Sequence, residues 1–182
     1  MQNPAYEFAI QTFKPMLSTL ANLLDKGAAH AAATGLDPAA LVEGRLAPDM
    51  FTLAQQVEQA CAYAIGAVRS LTGAEPPAFE GADASFADLK ARIAHALAFV
   101  ESAPAAAFAG AEDRTVTLPL RGGLVLEAKG YQVLRDWSLP HFYFHVVTAY
   151  DILRHAGAPI GKLDYLAHVG YAIRQAGAAP AA

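Results

Sequence analysis

Cysteine is almost missing from this chain. A single residue, Cys61, occurs in 182, which excludes a disulfide framework and any multi-cysteine zinc knuckle. Tryptophan is equally scarce, with Trp137 alone. Charge is thin as well, at 16% of residues, and thirteen basic against seventeen acidic side chains leave a formal charge of −4. The five lysines, Lys14, Lys26, Lys90, Lys129 and Lys162, are scattered. Nucleic-acid binding rests on clustered Lys and Arg, so that class of partner is excluded. No uncharged apolar stretch reaches the roughly 18 residues a membrane-spanning helix needs. The opening MQNPAYEF lacks the basic and apolar regions of a signal peptide. The expectation is a cytoplasmic protein with no membrane partner.

Alanine is what the chain has in excess, at 42 residues. The apolar fraction of 54% and the mean hydropathy of +0.25 therefore come largely from short side chains with high helix propensity. The length suits one domain with a proper core, predicted over residues 1–170. Residues 171–182, ending GAAPAA, are predicted to be a flexible tail.

Four segments carry helical periodicity. Tyr6, Ile10, Phe13, Leu17, Leu20 and Leu24 recur at steps of four and three, with Pro4 in the first turn and Pro15 as an expected kink. A second helix is predicted to begin near Arg45–Phe51, with Thr52 and Gln55 reading as a capping box. Leu53, Val57, Ala60, Ala64, Ala67 and Leu71 continue its narrow stripe. A third helix starts at Ser85, with Phe86, Leu89, Ile93, Leu97 and Val100 inward. Thr115–Leu120 and Leu124–Ala128 flank Gly122-Gly123 and predict a β-hairpin, with Pro119 confining the first strand to an edge. The fourth helix, about Tyr131 to His155 and interrupted by Pro140, is apolar around nearly its whole circumference. It is expected either to be the central, enclosed helix or to form a subunit interface. The fold class is all-α: a four-helix bundle with a small hairpin between the third and fourth helices.

The candidate chemistry sits on the fourth helix. His141 and His145 are four apart and share a face, a spacing that offers two metal nitrogens. The plainer alternative is that both rings fill space beside Phe142 and Phe144. Asp151 falls on another face. His155 and His30 read as charges at helix C-termini, His95 lies on the polar side of the third helix, and Cys61 reads as a buried, inert thiol.

The strings RLAPDMF (45–51), GAEDR (110–114), LPHFYFHVVTAYDILRH (139–155) and GKLDYL (161–166) resemble a bacterial family known as a domain of unknown function. The resemblance runs from about Tyr6 to Leu166. That family belongs to the DinB-like superfamily of four-helix bundles. It implies a homodimer and, in several members, a divalent metal such as zinc or nickel on three histidines, used in transfer or isomerisation with small thiols. Carried over, His141 and His145 match the paired histidines, while Gln59 stands where the third would be. Glutamine is a weak, neutral oxygen ligand, so the triad is incomplete. The expected function is a dimeric small-molecule-binding or structural bundle, with an apolar ligand among Trp137, Phe142 and Phe144. The alternative is a metal-dependent thiol S-transferase or isomerase using His141 and His145.

Overall fold

A computed structural model describes residues 3–172; the tail predicted over 171–182 lies outside the described residues from 173 onward. Helix α1 (Pro4–Thr34) starts where the Asn3 side chain accepts the Tyr6 N–H at 3.1 Å. It runs on through Pro15 and stops at Gly35 in the left-handed conformation. A short α2 (Pro38–Val42) follows, capped by Asp37. Helix α3 (Leu53–Thr72) opens with the predicted reciprocal box: Gln55 N–H donates to Thr52 Oγ1, and Thr52 N–H donates to Gln55 Oε1 at 2.9 Å. Ser85 caps α4 (Phe86–Ser102). After a 3₁₀ turn at Ala105–Phe108, strands β1 (Thr115–Pro119) and β2 (Val125–Lys129) pair antiparallel, with Val116 opposite Ala128 and Leu118 opposite Leu126. Helix α5 (Gly130–Gln132), a π turn at Val133–Ser138 and α6 (Leu139–His155) then form one continuous helical run. Helix α7 (Lys162–Tyr165) and a final 3₁₀ turn close the described chain.

The four long predicted helices are α1, α3, α4 and α6. They form a ring, α1 on α4, α4 on α3, α3 on α6 and α6 back on α1, with α1 also touching α3 across it. The stripes read from the sequence meet inside it. Phe13, Leu17 and Leu20 of α1, Val57, Ala60 and Ala64 of α3, Leu89 and Ile93 of α4, and Phe142, Val146 and Leu153 of α6 are all buried. The Phe13 and Phe142 rings meet edge-on at 4.9 Å. Alanines on α3 bring its two neighbours close, which is why the site side chains of α3 and α6 can touch.

Of the two expectations for the fourth helix, the enclosed one does not hold. Helix α6 is not enclosed on all sides. Its inner face is buried, but Phe144 is 59% exposed, Val147 39% and Tyr143 36%. A member of a four-helix ring has two neighbours and therefore keeps an outer face, whatever residues occupy it.

The hairpin does lean on the bundle. Arg114 Nη2 donates to the Leu71 carbonyl at 2.7 Å, at the end of α3, and Gly130 N–H donates to the Arg114 carbonyl. Gly130 has no room for a side chain, since a Cβ there would meet the Ala111 carbonyl oxygen at 2.0 Å. Val116 is buried beneath the strand.

Candidate functional site

The site begins with the break in helical pitch before α6. At the π turn the Leu139 N–H reaches back to the Leu134 carbonyl, five residues away. Pro140 then has no N–H to give. In this turn the His141 ring donates its Nδ1–H to the Trp137 carbonyl at 2.7 Å. One turn later, buried His145 donates its Nδ1–H to Gln56 Oε1, also at 2.7 Å. Gln56 is itself buried and is oriented by its amide, which donates to the Phe51 carbonyl at 3.4 Å. Both imidazoles therefore have Nδ1 committed to a fixed acceptor, which leaves the lone pair on Nε2.

An aromatic cluster fixes the ring planes. Tyr63 of α3 lies nearly parallel to both imidazoles, 4.6 Å from His141 and 5.6 Å from His145 between centroids. Phe51 stacks with His145 at 6.3 Å, Phe144 meets it edge-on at 5.3 Å, and Trp137 lies 4.3 Å from His141. Burial, together with the neighbouring His141, pushes the His145 pKa down to about 4, so that ring is neutral at pH 7. Burial raises the Tyr63 pKa, so its phenol stays protonated.

Tyr63 and Trp137 also belong to a larger feature. An open groove of about 1020 Å³ runs between α3 and β1, with Gln59, Tyr63, Gly66 and Ser70 along one wall and Thr115, Thr117 and Arg121 along the other. Trp137 and Ser138 lie at the end nearest the histidines.

The structure distributes the predicted residues as follows. It brings His141 and His145 together beneath Tyr63. Gln59 lines the groove wall, and the glutamine that touches the pair is Gln56. Phe142 is buried in the core, Phe144 is on the surface, and of the three residues proposed to hold an apolar ligand only Trp137 lines the groove. Cys61 is buried, with its thiol pushed up to about 12 by desolvation, consistent with an inert side chain. His30 Nε2 sits 3.2 Å from the Ala156 carbonyl. Asp136 is paired with Arg135 in the open, and Asp151 is exposed at the far end of α6. Among the described residues no three His, Cys, Asp or Glu side chains converge.

Gln56 and Tyr63 were missed in the sequence. A signal for both existed. Leu53, Gln56, Ala60, Tyr63 and Ala67 recur at steps of three and four, so both polar groups stand on an inward stripe where each needs a partner.

A family model described as a domain of unknown function, DUF1993, matches residues 5–166. The chain belongs to this family. The DUF1993 chain is also similar to the crystal structure of a DinB family member protein from Shewanella denitrificans. Identity is 35%, covering 98% of this chain and 97% of that one, with a TM-score of 0.82. None of the curated proteins matches it. The DinB-like, all-helical bundle with a small hairpin that the DUF1993 segments implied is therefore the observed fold. No helix among the described residues is long and apolar enough to cross a membrane.

Proposed function

We propose that this DUF1993 protein is a small-molecule-binding bundle whose site is the groove between α3 and β1, and that it works as a homodimer joined through α6. The observation that carries the site is the groove itself: about 1020 Å³ of open space ending on two aromatic rings that pack on a histidine pair. Ligand sites are typically concave, mostly apolar and furnished with a few converging polar groups. The test is a panel of neutral, anionic and cationic aromatic compounds scored by thermal shift. Binders raise Tm in the parent protein. Their effect disappears in Gly66→Leu and Ser70→Leu, which place side chains in the groove; a Cβ at Gly66 meets nothing within 4 Å. Shifts that persist unchanged in both variants would move the site elsewhere.

A second reading has its own support. Histidines that ligate metals nearly always donate the other ring nitrogen to a carbonyl or carboxylate, and both His141 and His145 do so here. A divalent zinc or nickel ion on the two Nε2 atoms is the form this reading takes. The donor set falls short of three histidines, because Gln56 Oε1 already serves His145 and Gln59 stands in the groove wall. No reaction step follows from such an ion, and the thiol-transferase alternative depends on it. Metal analysis of the purified protein decides the matter: about one equivalent per chain, lost in His141→Ala/His145→Ala, supports this reading. Metal-free protein whose Tm ignores added zinc and nickel overturns it.

A further inference from the structure

We infer that the ligand of the α3–β1 groove is a small organic anion with a planar aromatic body, its carboxylate or phosphate head held by Arg121, while Arg114 at the other end of β1 adds positive charge to the same groove. This rests on the groove being the binding site and adds the class of ligand.

The charge pattern carries the inference. Three arginines, Arg69, Arg114 and Arg121, line the groove against a single carboxylate, Glu75. That carboxylate is spent on Arg69: Glu75 Oε1 accepts from Arg69 Nε at 3.1 Å and from Nη2 at 2.9 Å. Arg114 gives one N–H to the Leu71 carbonyl and makes no ion pair among the described residues. Its guanidinium is thereby held in place with other N–H groups to spare. Arg121 sits in the hairpin turn, with no ion pair among the described residues. Two uncompensated cations thus border one cavity of a chain whose net charge is −4. Guanidinium groups bind carboxylate and phosphate oxygens in pairs.

The rest of the lining suits the remainder of such a molecule. Trp137 and Tyr63 provide aromatic surface, and Val116 and Leu118 provide an apolar side. Ser70 adds a hydroxyl on the α3 side. A cationic ligand would face the arginines unfavourably. A neutral aromatic would leave their charge unused.

Isothermal titration with three matched probes, naphthalene-2-carboxylate, 2-naphthyl phosphate and naphthalene-2-carboxamide, tests the inference. At least one anion is expected to bind roughly tenfold more tightly than the neutral amide, the scale of one hydrogen bond to a charged group. Whichever anion binds more tightly identifies the head group. Arg121→Gln, in an exposed turn, is expected to remove most of that preference while leaving the amide unchanged. Arg114→Lys keeps the charge but loses the planar fork, and is expected to weaken the anions less than Arg121→Gln does. Rising salt should weaken the anions alone. Equal affinity for amide and anions, abolished by Gly66→Leu, overturns the anion inference and leaves the groove standing. No heat from any probe removes both.

Discussion

At the residue scale, the decisive contact is the one between His145 and Gln56, 89 positions apart in sequence. Burial and the adjacent His141 hold the folded pKa of His145 at about 4, against about 6.5 for an unfolded chain. A base whose folded pKa is depressed binds its proton more readily when unfolded. The neutral ring therefore costs nothing above about pH 6.5, and folding loses stability as pH falls from there towards 4. Urea midpoints between pH 4 and pH 7.5 are expected to fall on the acid side, and His145→Asn should flatten that slope. A variant with the parent's acid slope would show that other groups produce it. Gln56→Leu leaves the His145 N–H buried without an acceptor and should cost about 1–3 kcal/mol. Tyr63→Leu removes ring stacking from both imidazoles but orphans no donor beneath it, so it should cost less.

At the scale of elements, α3 both builds the bundle and walls the groove. Its cap is as the sequence predicted, so Thr52→Ala should cost about 1 kcal/mol. Gly66 is the weak point of the same helix. It has ordinary helical geometry and open space around its missing Cβ, so no packing requirement explains a glycine there. Gly66→Ala is expected to stabilise the protein by about 1 kcal/mol, raising Tm by roughly 2–4 °C. An unchanged or lower Tm would mean that the glycine meets a need in the helix that the open space around it hides. The caps of α3 and α4, the hairpin and the DinB-like bundle were legible because each is written locally, in a cap residue, a period or a Gly-Gly turn. The partnership of Gln56 with His145 was not, because it depends on which turn of α3 faces which turn of α6. A π turn ahead of α6, with its i→i+5 bond, shifts that register, and no local pattern marks its pitch. The groove was invisible for the same reason: its two walls, α3 and β1, are more than forty positions apart and are joined by the Arg114–Leu71 bond.

At the scale of the molecule, the outer face of α6 is the feature a monomer leaves unexplained. Tyr143, Phe144 and Val147 project from it, with Phe51 41% exposed beside His145. Scattered exposed apolar residues need no account, but a contiguous set on one helix marks a contact surface. The same face ends in Asp151 and Arg154, opposite charges one turn apart. Across a two-fold axis, each can meet its opposite on the second copy, as an isologous interface requires. Sedimentation equilibrium at micromolar concentration is expected to give twice the chain mass of 19.1 kDa. Phe144→Glu should give monomers, because it buries a charge at the centre of the patch. Since Phe144 is mostly exposed in the single chain, the monomeric variant should keep its helical circular dichroism. Parent protein that sediments as a monomer would leave the apolar face of α6 without a second copy to cover it, and the dimer proposal would fall while the groove and the histidine pair stayed as they are.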